Sequence, residues 1–500
     1  MESEGDHMKG YRCRGTITVF LSLVSVLILS LVCTLVESAR VQGARAWAGA
    51  VTDMGLFSVF GEYEKEILEK YDVLFLDVSR ESGDFEPERI AWRAREFMEY
   101  NSNPEKGLKR PAGRNLFPME LADCQATGYV LAADEQGSAF YQQVVGSIRE
   151  NMGTELFLQY QEHAKKAKEQ KENAESYSKK DKAAWTELEA LEKEQEKNRE
   201  LKSGEEPERN PEENPLKEIR KIKKRGILGL VVKDVDRLSG KSIQKEKLPS
   251  GRTLQKGNLP VEKKYQGVLA DGIFQDYLLE HFGTWSAPCK EGALEYQAEY
   301  ILAGKAEDQQ NLKAVVNRLL LMREGTNLVC LLRDEQKKGE ARALAVSIAG
   351  AVPIPGLVPA LEAALLLAWA YGESLLDVRT LLSGGRVSLV KNVSEWKLSL
   401  GNLAKVTELL SACDQGGGEG ASYVDYLRIL MLSGGKEKFP LRALDMMEST
   451  LSSGKADAWV IKAQLRTSWR FPPVFLRVPA AFLNVSGQTA GYEVEGSFGY

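Results

Sequence analysis

The stretch TITVFLSLVSVLILSLVCTLVESARVQGARA, residues 16–46, joins an apolar run to a polar, alanine-rich run without a break. Residues 16–36 carry no charge, and a helix of that length spans roughly 30 Å, the thickness of the hydrocarbon core of a bilayer. The first charged residues after it, Glu37 and Arg40, are one helical turn apart and can form an ion pair. We therefore predict a transmembrane helix at 16–36 and the outer membrane boundary at Glu37.

Basic residues precede this apolar run and predict its orientation. Lys9, Arg12 and Arg14 favour a cytoplasmic tail at 1–15 and an extracytoplasmic remainder, because positive charge is retained inside. A cleaved signal peptide is the alternative, but its apolar core is usually about 7–15 residues long. The expected localisation is the cell membrane, with a single pass and the lipid bilayer as a partner.

Beyond the membrane boundary, small residues recur at spacings of three or four on one helical face: Ala39, Gly43, Ala46 and Ala50. Small residues allow two helices to approach closely, so this face, together with Glu37 and Arg40, is the predicted helix-packing interface. No proline interrupts residues 16–70, which predicts a stalk helix at 37–70. Two interpretations remain open: the stalk projects or lies along a head domain, or residues 40–70 are the first helix of a separate globular domain.

Composition and motifs argue against several functions. The net charge is only -5, which gives no indication of nucleic-acid binding. The three histidines lie far apart, so neither a histidine metal site nor a histidine triad is expected. Motifs for nucleophilic hydrolysis, phosphate loops, dinucleotides, zinc proteases and kinases are absent from the sequence. We expect no catalytic residues, no cofactor, no metal and no enzymatic activity.

Patterns after residue 70 predict an α+β, predominantly helical extracytoplasmic domain with a small β-sheet. Residues 71–150 begin this domain with a strand at 71–79, which pairs with strands near residue 500 and ties the two ends together. Residues 151–215 predict a charged helical hairpin or linker: a solvated helix or a short antiparallel coiled coil that projects from the body, with a linker or hairpin tip at 203–215. Residues 216–500 complete the domain, with apolar core helices within 310–383.

Shorter patterns give more local predictions. Residues 124–134 predict a strand or a turn segment, residues 227–232 predict a strand, and residues 295–304 fit a strand or a helix. A turn is expected at Gly325. The apolar zone 343–378 predicts a buried pair of helices, because its prolines interrupt the length that a second membrane span needs.

Three carboxylates lie on one face of the predicted helix in that zone: Glu362, Glu373 and Asp377. Such a set can perform acid–base chemistry, hold a cation, or form structural ion pairs. We interpret it as a structural acidic face that pairs with Arg342, Arg379 or Arg386. Outside the membrane, Cys124, Cys289, Cys330 and Cys413 are too widely spaced for a disulfide framework, and their pairing is open.

Several stretches, among them YDVLFLDVS, NPLKEIRKIKKRGILGLVV, LEYQAEYILAGK and NLKAVVNRLLLMREGTN, resemble an uncharacterised bacterial single-span membrane family. Its genes commonly occur beside tight-adherence (Tad/Flp) pilus genes. The beginning of the chain is also distantly similar to the TadE and TadG pseudopilins, in which a basic residue and a glycine precede an apolar helix that extends into a head. Phe20 stands where processed pilins usually carry a glutamate.

These resemblances imply a membrane-anchored structural or assembly protein, an accessory, pseudopilin-like component of a Tad-type pilus. Its partners would be membrane proteins of a pilus or secretion system. An extracytoplasmic sensor or ligand-binding module is the alternative, and a cell-envelope enzyme is less favoured because no motif supports it.

Overall fold

The computed structural model describes residues 13–79, 85–102, 117–150, 154–200, 214–350, 354–412, 419–451, 454–472 and 490–500. The fold is α+β and predominantly helical, as predicted, with a long apolar helix first and one small antiparallel sheet. Contacts divide the chain into two units. Unit 1 takes residues from 1–134, 255–261 and 457–500, and unit 2 takes residues from 135–254 and 262–456. These boundaries differ from the predicted divisions at residues 150 and 215.

The sheet of unit 1 is built around one long strand from late in the chain. Its strands are β1 Leu76–Asp77, β2 Glu120–Leu131, β3 Trp459–Phe471 and β4 Ala490–Gly499. Strand β3 pairs antiparallel with each of the other three. Pairs such as Leu76↔Val460 and Leu465↔Gly496 confirm that a sheet joins the 71–79 region to the strands near residue 500.

Three helices complete unit 1: α1 Cys13–Phe60, α2 Lys65–Tyr71 and α3 Glu88–Ser102. The second half of α1 buries Ala48, Val51 and Leu56 in the same core as Leu465 and Trp469 of the sheet. This half therefore belongs to a folded head and is continuous with the apolar half.

The predicted helix through residue 70 is wrong, because α1 ends at Phe60 and a separate helix follows. The amide of Gly61 still bonds to the carbonyl of Phe57, but Glu64 donates its N–H to Phe75. That bond reverses the chain, and α2 then buries Ile67 and Tyr71. The absence of proline permits a long helix but does not require one.

Unit 2 is a body of helices with the apolar helix α12 at its centre, where every residue from Ala364 to Leu382 is buried. The helices are α4 Asp134–Arg149, α5 Thr154–Glu200, α6 Pro215–Lys223, α7 Ile227–Val231, α8 Val268–His281, α9 Gln297–Ala303, α10 Asp308–Arg333, α11 Glu335–Ala349, α12 Leu357–Leu382, α13 Val406–Ala412, α14 Tyr423–Ser433 and α15 Phe439–Thr450. The first residues of α4, at 135–137, have left-handed backbone angles.

The linker or hairpin tip expected at 203–215 lies mostly outside the described residues, and α6 returns beside α5 through the ion pairs Arg220–Glu192 and Lys223–Asp181. Within 154–200 the charged segment forms one continuous 47-residue helix, α5, which is the single-helix alternative. It packs against α10, α12 and α14. A stripe of alanine and aromatic residues at heptad-like spacing is buried: Tyr160, Ala167, Ala174, Tyr177, Ala184 and Leu188. Residues at this spacing form the contact seam of a coiled coil. In this protein the seam packs against other helices of the same chain, and the many charged residues on the remaining faces of α5 make it hard to recognise from sequence.

Two strand predictions in unit 2 and the turn at Gly325 are also corrected. Residues 227–232 contain helix α7, and residues 295–304 contain helix α9, the alternative that the pattern allowed. Gly325 lies inside α10, where an added Cβ would be 2.6 Å from the backbone of Asn173 on α5. The absence of a side chain there allows two helix backbones to approach closely. Of the buried helix pair predicted at 343–378, α12 is buried as expected, whereas α11 buries only Ala341, Ala345 and Ala349 and leaves Val346 exposed.

Candidate functional site

The first half of α1 has the properties of a membrane span. Among the described residues, only α1 is long and apolar enough to cross a bilayer. Its apolar side chains between residues 16 and 36 are exposed, and Leu27 reaches 70% exposure. Contiguous exposed apolar surface of this extent is unfavourable in water and favourable in lipid. The chain is therefore consistent with a single-pass membrane protein.

The ion pair predicted at the end of the apolar run is present. Arg40 Nη2 donates to Glu37 Oε1 at 2.9 Å, and it also donates to the carbonyl of Pro472. Glu37 is only 4% exposed. Arg40 thus links α1 to the residue that follows β3, directly beyond the point where the apolar segment ends.

The predicted small-residue face is divided by the structure. Ala39, Ala46 and Ala50 are exposed. Gly43 instead faces the ring of Phe117 within unit 1, and a Cβ added there would lie 2.5 Å from Cε1 of that ring. Gly43 therefore serves the internal packing of unit 1.

The exposed alanines continue into an exposed aromatic residue. Phe57 follows Ala50 by seven residues and is 65% exposed. We call Ala39, Ala46, Ala50 and Phe57 the outer α1 face. The opposite face of the same helix is buried against the sheet. One helix therefore presents an exposed side that runs on from the apolar span, and at its far end Phe57 also contacts Phe498 edge-on.

Two of the three predicted carboxylates meet in a buried charge cluster of unit 2, formed by Arg323, Glu373, Asp377 and Lys391. Arg323 on α10 donates to Asp377 Oδ2 on α12 through Nη2 at 2.9 Å and Nε at 3.1 Å. Lys391 Nζ donates to Asp377 Oδ1 at 2.6 Å and also to Glu373 Oε1. All four residues are buried.

Backbone and neutral groups complete the cluster. The amides of Lys397 and Leu398 donate to Glu373 at 3.0 and 2.8 Å. Asn327 Nδ2 donates to Asp377 Oδ2 at 3.0 Å. Burial alone would raise the pKa of Asp377, but the charges of Arg323 and Lys391 outweigh it and hold that pKa below its usual value.

The partners differ from those predicted. Arg323 and Lys391 take the places expected for Arg342, Arg379 or Arg386, and Glu362 lies partly exposed outside the cluster. Sequence spacing located the acidic residues, but Arg323 lies 54 positions from Asp377, and no local pattern indicates that pairing. Because these carboxylates are enclosed and fully hydrogen-bonded, the cluster suits a structural role.

Two other buried carboxyl groups have perturbed acidity. Burial raises the pKa of Glu299 to about 7, although the Trp285 amide and the Tyr423 hydroxyl donate to its Oε1. Burial raises the pKa of Glu324 to about 8; nearby Lys223 opposes this shift, and Asp181 adds to it. Neither residue was identified from the sequence, because nothing local distinguishes them from other helical glutamates.

An open pocket of about 600 Å³ lies in unit 2. Three polar side chains, Arg149, Gln161 and Gln266, line it together with apolar residues that include Leu269 and Ile273. Its volume suits a small molecule, and no sequence pattern indicates this pocket.

Metal and disulfide chemistry find no support in the part of the chain that the structure describes. No group of three histidine, cysteine, aspartate or glutamate side chains there could hold a metal ion. Cys124, Cys289 and Cys330 are free thiols, and Cys413 lies outside the described residues. Burial raises the pKa of the Cys124 thiol to about 11, which makes it a poor nucleophile at neutral pH.

Comparison with known proteins gives one match. A model of a family of unknown function matches residues 205–467, a range that contains the whole charge cluster. No curated protein and no solved structure matches the chain.

Proposed function

Because the chain belongs to that family of unknown function, DUF5702, whose description assigns no activity, we propose a function from the geometry of α1. The protein is a membrane-anchored extracytoplasmic structural or assembly protein. It acts as an accessory, pseudopilin-like component of a Tad/Flp-type pilus or a related surface system, and its amino terminus is cytoplasmic.

One observation carries this proposal: α1 is a single helix of 48 residues with an exposed apolar half and a half that packs on a sheet. An anchor that only tethers a soluble domain needs no such rigid continuity. Here the outer α1 face keeps small side chains exposed directly beyond the span. That arrangement suits lateral packing against another helix that also emerges from the membrane.

The ion pair at the base supports the same mechanism. Arg40 binds both Glu37 and the carbonyl of Pro472, so the sheet is attached to α1 near the membrane boundary. A force or a contact at the outer α1 face is thereby transmitted to the folded head. The partner is a membrane helix of a pilus or secretion-system protein.

Affinity purification of the intact complex from membranes tests this function. We expect pilus components to co-purify with the wild-type chain and to be lost with Ala46→Trp, because a bulky side chain prevents close helix approach. Ala343→Trp, at an exposed alanine of α11, is the matched control and should retain them. Membrane insertion should be equal in all three. Equal recovery from both variants, or no pilus component with the wild type, refutes the proposal.

A ligand-binding module is the second candidate, and the pocket of unit 2 favours it. Arg149 and two glutamines are among the residues that line a partly apolar opening of about 600 Å³. A screen of small carboxylates and phosphates by thermal shift tests it. A rise in Tm that disappears in Arg149→Ala would support this function, and no shift with any compound would remove it.

A further inference from the structure

Strand β4 is an unusually regular edge of the unit 1 sheet. It pairs residue by residue with β3 from Ala490↔Phe471 to Gly499↔Lys462, without a bulge. Strand β2, on the other side of β3, has three register shifts. Within the described residues, β4 pairs with β3 alone. Its ten residues contain no proline and no lysine, which are common protections of an edge strand.

The backbone groups on the outer side of β4 can be assigned from the register. The amide of Tyr500, the residue after β4, donates to the carbonyl of Ile461 on β3. In an antiparallel pair, hydrogen-bonded and non-hydrogen-bonded residues alternate. Even-numbered residues of β4 therefore bond to β3. The odd-numbered residues direct their N–H and C=O groups away from it: Gly491, Glu493, Glu495, Ser497 and Gly499.

The side chains beside this edge define what it would recognise. Glu493 and Glu495 are exposed on the outer face of the sheet. Glu495 pairs with Arg466 of β3 at 2.9 Å, so one acidic–basic cross-strand pair already lies on this face. A further strand that extends this kind of pairing would carry lysine or arginine opposite the two glutamates.

The other face of the sheet adds an apolar contact. Phe57 of α1 is 65% exposed and lies edge-on to Phe498 of β4, with ring centroids 5.5 Å apart. Gly496 lies against Thr52, Leu56 and Asp53 of the same helix. An added strand would therefore have an apolar side chain on the α1 side, where Phe57 has room for a contact.

We propose that β4 accepts an extended segment of a different protein as an additional strand, with basic residues on one face and apolar residues on the other. Main-chain bonds to the odd-numbered residues give affinity, and Glu493, Glu495 and Phe57 give specificity. A second copy of β4 is a poor occupant, because antiparallel pairing of two such strands places glutamates against glutamates. This proposal does not rest on the helix contact proposed above, and the two surfaces overlap at Phe57.

The test uses the full chain in detergent micelles and two synthetic peptides, Lys-Val-Lys-Val-Lys-Val-Lys and its counterpart with glutamate for lysine. We expect saturable binding of the basic peptide and none of the acidic one. Amide exchange at Glu493, Glu495 and Ser497 should be fast in the free protein and slow in the complex. Slow exchange in the free protein would overturn the proposal, because the edge would already be covered.

Three variants separate strand addition from simple charge attraction. Glu493→Lys/Glu495→Lys should weaken the basic peptide by about tenfold or more and permit the acidic one, because two cross-strand attractions become repulsions. Ser497→Pro removes one outward N–H and should weaken binding without unfolding, since an edge tolerates proline there. Phe57→Ala should weaken binding, whereas Trp92→Ala, at another exposed aromatic residue of unit 1, should not.

Two results would overturn the proposal even if the basic peptide binds. If Ser497→Pro and Phe57→Ala both bind as tightly as the wild type, the peptide is held by charge alone. If the free protein dimerises in sedimentation experiments and Ser497→Pro returns it to a monomer, the occupant is a second copy of the chain.

Discussion

Replacing Glu373 with leucine should destabilise unit 2 by about 3–5 kcal/mol, the usual cost of removing one partner from a buried ion pair. Glu373 is fully buried and accepts from Lys391 and from the amides of Lys397 and Leu398. Leucine fills most of the volume but accepts no hydrogen bond. Leaving the buried amide of Leu398 without an acceptor costs about 1–3 kcal/mol. Lys391 Nζ still has Asp377 Oδ1 at 2.6 Å, so its charge remains paired and the total destabilisation is limited.

Urea denaturation of the purified full chain in detergent, followed by tryptophan fluorescence, measures this change. Trp369 and Trp396 both donate to the carbonyl of Leu398, so their emission reports on the surroundings of Glu373. Glu362→Leu is the control, because Glu362 is on the same helix but partly exposed outside the cluster. Its effect should stay below about 1 kcal/mol, as for most substitutions away from buried networks.

The result that refutes this reasoning is a Glu373→Leu variant no less stable than Glu362→Leu. A double variant, Glu373→Leu with Lys391→Met, provides a second test. Because both charges are removed together, its destabilisation should be smaller than the sum of the two single effects. Strict additivity would show that Glu373 and Lys391 act independently.

Three further predictions concern single positions. Gly325→Ala should lower the free energy of unfolding by about 1–3 kcal/mol, because its Cβ meets the backbone of α5. Gly339→Ala, where no atom is near, should raise it by about 0.5–1 kcal/mol. Thermal melts of both variants measure the two changes. Glu324 has a folded pKa of about 8 against an ordinary 4.5, so the folded state retains a proton that the unfolded chain releases. The contribution of Glu324 to stability should therefore be full below about pH 4.5 and be lost as pH rises to 8. Glu324→Gln should remove this contribution in urea titrations and leave the part of the fall that belongs to Glu299, whose pKa is about 7. Cys124 should react with iodoacetamide at pH 8 roughly a hundredfold more slowly in the folded chain than in urea, because burial raises its pKa to about 11 and lowers the fraction of reactive thiolate. Equal rates would show that burial does not protect this thiol.

Sequence patterns were sufficient where a local period or a long apolar run specifies the element. The run at 16–36, the Glu37–Arg40 spacing and the apolar zone of α12 each predicted what the structure contains. The alternation in β3, with Ala463, Leu465 and Thr467 buried, is a local pattern of the same kind and indicates a strand.

The failures share one physical cause, which is contact between residues distant in sequence. The seam of α5 carries alanine and tyrosine, whose burial depends on α10 and α12, and no local hydrophobicity measure reveals it. Gly325 resembles a turn residue until the backbone of Asn173 is placed beside it. The bonds of Arg323 and the lining of the pocket likewise depend on tertiary placement.

Because β3 lies late in the chain, it is synthesised long after the elements that pack against it. Helix α1 and strand β2 leave the ribosome first, but β3, on which both depend, begins only at Trp459. At about 5–20 residues per second, that interval lasts tens of seconds. All of unit 2 is translated within it, so the inserted unit can mature while the buried face of α1 still lacks its sheet. Closure of unit 1 is thus a late event, and a chain truncated before residue 459 would be anchored and partly folded yet unable to complete its membrane-proximal head.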